Sequence, residues 1–301
     1  MLKMSKYRVV LKVTVSFLLL FGGIGNCHSQ SIDDKLSKAN SLFFEKDYSN
    51  ALIVYNQLLP ELTDSIDLSY IYSYTAICYE NLGDNSTAFL NYKNAVNFKI
   101  REYSIYNKLF SLAKKQNDVD CQEYALKQKI KVFPEEENPT LSQLGDLYMR
   151  SEQYTKLLDV SEHLIDINAG DYKPYYFQAV AYQKNGDNMK AEENYRKALS
   201  LNPEDYASNM GLGFLIFNQA SVAFEREQAR YAAISNPIWK DYLFYLGNIK
   251  KIKGLYTEAK PFLAKACQQK CNSQLEKAME ILKSRTSQIV QNENSPVSKR
   301  N

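Results

Sequence analysis

Cys267 and Cys271 are the residues of this 301-residue chain whose spacing most directly permits chemistry. They stand four positions apart on a predicted helix, where their side chains share one face. Three roles fit this spacing: two small packing residues, a local disulfide bond, or a thiol pair with a redox or metal-binding role. Zinc and haem signatures are absent, because the sequence has no second cysteine pair and His163 is the only histidine after residue 29.

Two further motifs imitate functional sites. His163 follows Glu162 and lies four residues after Asp159, a grouping suited to acid–base chemistry. No nucleophile is placed to join them, and their polar neighbours on a predicted helix indicate a solvated face. Residues 211–214 read Gly-Leu-Gly-Phe, like the carboxylate-binding loop of PDZ domains, but that loop requires flanking strands and the pattern here is helical. We therefore predict helix packing for this motif and no enzymatic activity for the chain.

The charge of the chain gives no sign of a nucleic-acid-binding surface. Its 37 Lys and Arg residues exceed 34 Asp and Glu residues, but Lys3, Lys6, Arg8 and Lys12 lie in the first 29 residues, which contain no acid. Without these four residues the chain is nearly neutral and its charges are interspersed. The sequence therefore predicts that nucleic acid is not a partner.

The N-terminus is typical of an export signal. An apolar run over residues 13–24 follows the positive charges, and small and polar residues come after it. As a helix this run rises only about 18 Å, well short of the roughly 30 Å hydrocarbon core of a bilayer. We predict cleavage after Ser29, so that residues 1–29 are a signal peptide. The alternative is a degenerate lipoprotein box in residues 24–27 (IGNC), with a lipid on Cys27 that would be the protein's one link to a membrane.

A period of 34 residues runs through the chain. Small residues recur at this interval, at Gly145, Ala179, Gly213 and Gly247. Such residues let the backbones of two helices approach closely. Gly186 and Gly254 stand two periods apart, and each is predicted to be the left-handed residue that ends the first helix of a pair.

These residues resemble the tetratricopeptide repeat, a helix hairpin of about 34 residues with small, aromatic and proline residues at fixed positions. Residues 172–205 match the pattern with Tyr175, Ala179, Tyr182, Gly186, Ala191, Tyr195, Ala198 and Pro203. Residues 69–102 match nearly as well. The rows that begin at residues 32, 138 and 240 retain part of the pattern, and those that begin at residues 103 and 206 depart further.

The resemblance implies an all-α fold, an α-solenoid in which about seven helical hairpins form a right-handed superhelix with a concave face. We predict that this repeat domain occupies residues 30–285. Within it, residues 274–285 are predicted to be a capping helix with Leu275, Ala278 and Leu282 on its apolar side. Residues 286–301 are polar and lack a period, so they are predicted to be a disordered tail.

In tetratricopeptide repeat proteins, ligands lie along the first helices of the hairpins, and the resemblance transfers this surface to particular positions here. The predicted partner-binding residues are Ile77, Asn81, Asp146, Met149, Arg150, Tyr176, Val180, Gln183, Lys184, Met210, Phe214, Phe217, Phe244 and Asn248. Among them, Met210, Phe214, Phe217 and Phe244 suit the apolar anchors of a peptide partner. The alternative is that the aromatic side chains of this group pack against a neighbouring hairpin or against the long connection of the row that begins at residue 206.

The sequence therefore predicts an exported scaffold or adaptor protein, without a cofactor, that binds a protein or peptide partner. Its predicted location is the periplasm or the outer-membrane periphery of a bacterium, or the outside of the cell. One alternative is a lipoprotein subunit of an outer-membrane assembly complex, anchored through Cys27. Another is a thiol-dependent enzyme that uses Cys267 and Cys271.

Overall fold

The chain is helical throughout the part that the structure describes. A computed structural model describes residues 25–293, with side chains for residues 32–288. This range contains thirteen α-helices, two 3-10 turns (Leu59–Glu61 and Pro134–Glu136) and no β-strand. The α-helices are α1 (Gly25–Phe44), α2 (Tyr48–Leu58), α3 (Ser65–Asn81), α4 (Asn85–Asn97), α5 (Tyr103–Lys115), α6 (Val119–Val132), α7 (Glu137–Arg150), α8 (Tyr154–Ile167), α9 (Lys173–Lys184), α10 (Asn188–Leu201), α11 (Tyr206–Ala232), α12 (Trp239–Lys270) and α13 (Ser273–Glu293).

The chain divides into two compact units, residues 1–100 and residues 101–301. Helices α1–α4 belong to the first unit and α5–α13 to the second. Within each unit, consecutive helices pack against each other as antiparallel pairs. The predicted all-α fold of helical hairpins is therefore confirmed.

One turn recurs in the first five helix pairs. A residue with positive φ ends the first helix of each pair, at Lys46, Gly83, Asn117, Glu152 and Gly186. The next residue donates its N–H to the carbonyl oxygen five residues earlier, at 2.9 Å in all five turns. This bond closes the helix in the Schellman arrangement and lets the chain reverse within a few residues. The left-handed conformation predicted for Gly186 is confirmed.

Aspartate starts the second helix at four of these five turns. The carboxylates of Asp47, Asp84, Asp118 and Asp187 each accept a hydrogen bond from the N–H three residues later, at 2.9 to 3.3 Å. A cap of this kind stabilises a helix by roughly 1 kcal/mol. The residue that ends the first helix is thus followed directly by the residue that caps the second. This pair of residues occurs in the hairpins α1/α2, α3/α4, α5/α6 and α9/α10. The hairpin α7/α8 has the turn without the side-chain cap, since Gln153 stands at that position.

The last two predicted hairpins are instead long single helices. α11 covers 27 residues and α12 covers 32, and Gly254 lies inside α12 without a positive φ. The prediction that Gly254 ends a helix is therefore wrong. Two physical reasons act together: α12 packs along the core that it shares with α11, and the residue after Gly254 offers no helix cap. Leu255 follows Gly254, whereas Asp187 follows Gly186, so no carboxylate is placed to start a second helix after Gly254.

The three long helices share one apolar core. Its buried members include Leu212, Ile216 and Phe224 of α11, Ile249, Tyr256 and Leu263 of α12, and Leu275, Ala278 and Leu282 of α13. Burying a large apolar side chain contributes roughly 1.5 to 3 kcal/mol. Packing along whole helices therefore holds α11, α12 and α13 together, and the apolar side predicted for the capping helix is confirmed.

Most of the small residues at the 34-residue interval lie where helices are in close contact. A β-carbon at Gly145 would overlap the ring of Phe177, and one at Gly213 would lie 2.7 Å from a side chain of α12. Ala179 is fully buried. Gly247 differs, because a β-carbon there would meet nothing within 4 Å. The predicted close approach is confirmed at Gly145 and Gly213 and is wrong at Gly247.

The C-terminal cysteines form a disulfide bond. Cys267, in the last turn of α12, is bonded to Cys271, the residue that follows the helix. Of the three roles that the spacing permits, packing, a disulfide bond, or a redox or metal-binding pair, the structure shows the disulfide bond. Cys78 lies in the first unit, where burial raises the pKa of its thiol to about 12. Its thiol is therefore protonated and unreactive at neutral pH.

The C-terminal helix is longer than predicted. α13 runs to Glu293, so residues 286–293 are helical where the sequence predicts a disordered tail. Side-chain contacts accompany this extension. The Arg285 guanidinium lies 4.1 Å from the centre of the Phe224 ring, and the Thr286 hydroxyl donates to the carbonyl of Leu282 at 2.8 Å. Residues 294–301 lie outside the described residues.

The predicted signal peptide lies mostly outside the described residues, which begin with α1 at Gly25. Helix α1 therefore contains Cys27 and the predicted cleavage position after Ser29. No helix within residues 25–293 is long and apolar enough to cross a bilayer.

Glu123 joins two hairpins of the second unit. Its carboxylate in α6 lies 2.6 Å from Lys127 Nζ in the same helix and 2.8 Å from Lys156 Nζ in α8. Burial alone would raise the pKa of Glu123, but hydrogen bonds from Lys127, Lys156 and Tyr148 outweigh burial and lower the pKa to about 2. The carboxylate therefore stays charged and paired under all but strongly acidic conditions.

We predict opposite effects for two glycine substitutions at equivalent positions of the repeat. Gly145→Ala should lower the free energy of unfolding by about 1 to 3 kcal/mol, because its methyl group overlaps the buried ring of Phe177. Gly247→Ala should raise it by about 0.5 to 1 kcal/mol, because alanine favours an open helical position. Urea unfolding monitored by circular dichroism measures both. Effects of equal sign would contradict the packing described for the two sites.

We predict that Glu123→Gln lowers the free energy of unfolding at pH 7 by about 1 kcal/mol, since the two lysine partners are half exposed and solvent screens the pair. The folded-state pKa lies below the ordinary value of 4.5, so the ion pair stabilises the fold above pH 4.5 and its contribution is lost as the pH falls toward 2. Urea unfolding at pH 7, 5 and 3 should show a smaller acid-induced loss for the variant. An identical loss in both proteins would mean that Glu123 does not carry this effect.

Candidate functional site

A groove in the second unit gathers half of the predicted partner-binding residues. Its walls are α9, α11 and α13, and its volume is about 720 Å³. Seven of the predicted residues line it: Tyr176, Val180, Gln183, Lys184, Met210, Phe214 and Phe217. We call this surface the aromatic groove.

Helical spacing places these side chains on one surface. On α9, Tyr176, Val180 and Gln183 recur at intervals of three and four positions, and on α11 so do Met210, Phe214 and Phe217, which puts each set on a single helix face. Helix α11 also comes close to the preceding hairpin at Gly211, where a β-carbon would overlap the ring of Tyr195. The glycine therefore permits the close approach of α10 and α11 at the base of the groove.

Gln183 is oriented at the groove by a buried tyrosine. The Tyr195 hydroxyl donates a hydrogen bond to Gln183 Oε1 at 2.8 Å, and burial raises the pKa of Tyr195, which keeps the hydroxyl protonated. Since Oε1 is the acceptor, the Nε2 group of Gln183 retains its N–H donors for another acceptor. The first unit repeats this arrangement, because Tyr92 donates to Glu80 Oε2 at 2.6 Å. The second helix of a hairpin thus positions a polar side chain on the first.

Tyr176 is enclosed by other aromatic rings. Its ring centre lies 6.1 Å from that of Phe177 and 6.3 Å from that of Tyr195. Burial, with smaller contributions from the negative charges of Asp205 and Asp146, raises the pKa of Tyr176 to about 12. The Tyr176 hydroxyl is therefore neutral at physiological pH.

Phe214 and Phe217 differ in the surface that they offer a partner. Phe217 is only 7% exposed, and its ring packs against Tyr256 with 5.9 Å between ring centres. Phe214 is partly exposed and meets Phe217 edge to face at 6.5 Å. Phe217 therefore forms the floor of the groove, as the packing alternative expects, whereas Phe214 and the partly exposed Met210 present accessible apolar surface.

The charged residues of the aromatic groove are both basic. Lys184 and Lys277 line it, and no acidic side chain of the described residues does. Both lysines are exposed. The surface therefore combines partly exposed apolar side chains with positive charge.

The sequence analysis missed the wall that α13 provides. Gln274, Lys277, Ala278 and Ile281 of this helix complete the groove. The helical spacing of Lys277 and Ile281 is visible in the sequence, but a capping helix is expected only to cover the end of a hairpin stack. Its place in the groove follows from the long α11 and α12, whose shared core α13 also covers.

Five predicted residues lie outside the aromatic groove and its surroundings. Ile77 and Asn81 belong to the first unit, where Asn81 Nδ2 donates to the carbonyl of Ile77 at 2.8 Å. Asp146 forms an ion pair with a lysine of α9 at 2.9 Å. Met149 packs against the core around α7, and Arg150 is exposed at the end of that helix.

Asn248, another predicted residue, lines a second cavity that shares Gln183 and Asn218 with the aromatic groove. This cavity has a volume of about 1060 Å³ and lies mainly along α11 and α12. Its polar lining consists of Gln183, Asn188, Asn218, Gln219, Arg226, Glu227, Arg230, Asn248 and Lys251. We call it the polar cavity.

Phe244 lines neither cavity. Its side chain is 58% exposed, and the Arg230 guanidinium lies 4.7 Å from the centre of its ring. The resemblance transferred a ligand position to Phe244 as part of the first helix of a regular hairpin. Helix α12 does not form such a hairpin, because it continues through Gly254.

The other motifs with chemical potential have structural explanations. His163 Nε2 lies 3.6 Å from Glu137 Oε1, and both side chains are at least a third exposed, so this pair lies on a solvated face. Residues 211–214 are helical, and both of their glycines lie where a β-carbon would crowd a neighbouring helix. Within the described residues, no group of three or more His, Cys, Asp or Glu side chains is placed to hold a metal ion.

Comparison with known protein families identifies the hairpin that forms one wall of the groove. Residues 172–205, which contain α9 and α10, match the tetratricopeptide repeat. No curated protein matches the chain in sequence.

Several solved structures resemble the chain. A candidate protein-binding protein from Bacteroides ovatus is 15% identical and superposes with a TM-score of 0.51, over 73% of this chain and 98% of that one. A tetratricopeptide repeat protein from Parabacteroides merdae is 15% identical over 87% of this chain and 99% of that one, with a TM-score of 0.40. The C-terminal part of a repeat protein of the same kind from Cytophaga hutchinsonii is 16% identical over 86% and 99%, with a TM-score of 0.42.

The first of these likenesses bears on the fold alone, because its sequence identity is low. Together with the match over residues 172–205, it confirms the resemblance to tetratricopeptide repeat proteins.

Proposed function

We propose that this protein is an exported bacterial scaffold or adaptor that binds a peptide segment of a protein partner in the aromatic groove. The observation that carries the proposal is the groove itself. It combines accessible apolar side chains at Met210 and Phe214 with uncommitted N–H donors on Gln183. Apolar anchors and backbone hydrogen bonds are the two means by which a surface of this kind holds a peptide.

The rigidity of the walls supports binding without rearrangement. Phe217 is fixed by Tyr256, and Gln183 by Tyr195, so these lining groups are ordered before a partner arrives. Ordering a flexible side chain at an interface costs roughly 0.5 to 1.5 kcal/mol, and a preformed groove avoids much of this cost. Most of the conformational entropy lost on binding is then lost by the partner segment.

A binding role fits the chemistry of the site better than a catalytic one. Tyr176 is neutral, with a pKa of about 12, and among the described residues no carboxylate lines the groove to act as a base. The thiol-dependent alternative finds no support, since Cys267 and Cys271 are bonded to each other. We therefore propose that the protein acts by presenting a surface, without a cofactor and without nucleic acid as a partner.

The proposed location rests on the N-terminal sequence. Four positive charges and a short apolar run within residues 1–29 support export, and we propose the periplasm, the outer-membrane periphery or the extracellular space as the place of action. Lipid attachment at Cys27 is the alternative. In that case the same groove would serve a lipoprotein subunit of an outer-membrane assembly complex.

Selection of random 12-residue peptides by the purified protein, followed by fluorescence anisotropy on the enriched peptides, tests the proposal. We predict that enriched peptides carry apolar side chains and that Phe214→Ser weakens their binding about tenfold, which corresponds to roughly 1.4 kcal/mol. Met210→Ser should weaken binding in the same direction. Phe217 is unsuitable as a test, because its burial makes any loss of binding inseparable from loss of stability.

Leu243→Ser is the matched control for this experiment. Leu243 is a 49% exposed apolar residue of the same unit that does not line the groove, so its substitution should leave binding unchanged. Circular dichroism and urea unfolding establish that each variant is folded. Failure to enrich any peptide, or equal binding by the Phe214→Ser and Leu243→Ser variants, would overturn the proposed function.

A further inference from the structure

We propose that the polar cavity is a second subsite, which binds an acidic stretch of the same peptide whose apolar side chains occupy the aromatic groove. This inference rests on the proposed function and adds to it the charge of the partner. The two cavities share Gln183 and Asn218, so a single extended peptide passes from one to the other without leaving the surface.

The lining of the polar cavity has an excess of positive charge. Its basic residues are Arg226, Arg230 and Lys251, and Glu227 is its acidic residue. Glu227 is nearly buried and lies 2.6 Å from an Arg230 nitrogen. The hydrogen bond from Arg230 lowers the pKa of Glu227 against the opposing effect of burial, and a further bond from Asn248 adds to the lowering. Glu227 is therefore ionised, and Arg230 neutralises it.

Arg226 and Lys251 carry the remaining positive charge. Both side chains are exposed, and within the described residues neither has an ion-pair or hydrogen-bond partner. Arg226 is on α11 and Lys251 on α12, two helices that share one core. An arginine can bind a carboxylate through two parallel N–H bonds, and a lysine acts as a point charge beside it. A pair on two packed helices suits two acidic side chains of one segment.

Neutral donors and an apolar base complete the site. Five amide side chains line the cavity, at Gln183, Asn188, Asn218, Gln219 and Asn248. Such groups can bond to the peptide backbone as well as to carboxylates. Leu215, Ile252 and Leu255 add apolar surface beneath them.

Charge complementarity decides the occupant. A basic segment would be repelled by Arg226 and Lys251, and also by Lys184 and Lys277 of the adjoining groove. The protein's own C-terminal residues 294–301 fit poorly for this reason, since they include a lysine and an arginine and no acid. An acidic stretch next to apolar anchors matches both cavities at once.

The test uses a groove-binding peptide from the random-peptide selection, extended at either end by four Glu or, for comparison, by four Gln. In 50 mM salt we expect one of the Glu-extended peptides to bind about five- to tenfold more tightly than its Gln counterpart. The Arg226→Gln/Lys251→Gln variant should reduce this advantage to less than twofold while leaving the Gln-extended peptide unaffected. In 300 mM salt the advantage should shrink, because ions screen exposed charges.

Lys250→Gln/Lys260→Gln is the matched control, since it removes the same charge from exposed positions of α12 that do not line the polar cavity. It should preserve the advantage of the Glu-extended peptide. Equal binding of the Glu and Gln peptides would overturn this inference and leave the proposed function standing. An advantage that persists in the Arg226→Gln/Lys251→Gln variant would also overturn it, by placing the acidic stretch elsewhere. Absence of groove binding by every peptide would overturn both proposals.

Discussion

A residue with positive φ, followed at four of five turns by an aspartate that caps the next helix, sets the length of the helices in the first five hairpins. The positive φ allows the Schellman bond that ends one helix, and the aspartate satisfies an N–H group at the start of the next. Where both occur, as at Gly83 and Asp84 or at Gly186 and Asp187, the chain forms a short hairpin. Where Leu255 follows Gly254, the cap is missing and α12 runs on for 32 residues.

The candidate site is a consequence of that missing turn. A long α12 needs a long partner, and α11 packs against it over a shared core that α13 then covers. The regular hairpin α9/α10 precedes this group of three long helices. The aromatic groove lies between them, with one wall from α9 of the hairpin and two walls from the long helices α11 and α13. The polar cavity lies along α11 and α12 themselves. The two proposed subsites differ in chemistry. Met210 and Phe214 present apolar surface in the first, whereas Arg226 and Lys251 keep a positive charge in the second, because Arg230 neutralises Glu227 there.

Much of the fold could be predicted from sequence, because the 34-residue period reports helix length and turn position directly. The small residues that recur every 34 positions also indicated where helices approach each other. The indication was incomplete, because Gly145 and Gly247 occupy equivalent positions and only Gly145 lies against a neighbouring ring. A sequence period does not show whether a side chain of another helix packs against a given small residue. The resemblance to the tetratricopeptide repeat implied seven of the residues that line the aromatic groove. It did not imply the wall from α13, since that wall depends on packing between distant segments. Glycine at position 254 permits either a turn or a continuous helix, and the 34-residue period does not distinguish the two. Packing of α12 along α11 favours the continuous helix. The displaced position of Phe244 has the same origin.

Amide hydrogen exchange around Gly254, resolved by residue with NMR, tests most directly whether α12 is continuous, as the candidate site requires. In an unbroken α12, the N–H groups of Tyr256 and Thr257 bond to carbonyl oxygens four residues earlier, and we predict that they exchange slowly. Met189, in the first turn of α10, provides the comparison within the same molecule, because first-turn N–H groups lack such partners and exchange fast. Exchange at Tyr256 and Thr257 as fast as at Met189 would mean that the chain turns at Gly254, which would contradict a continuous α12 and the groove that depends on it.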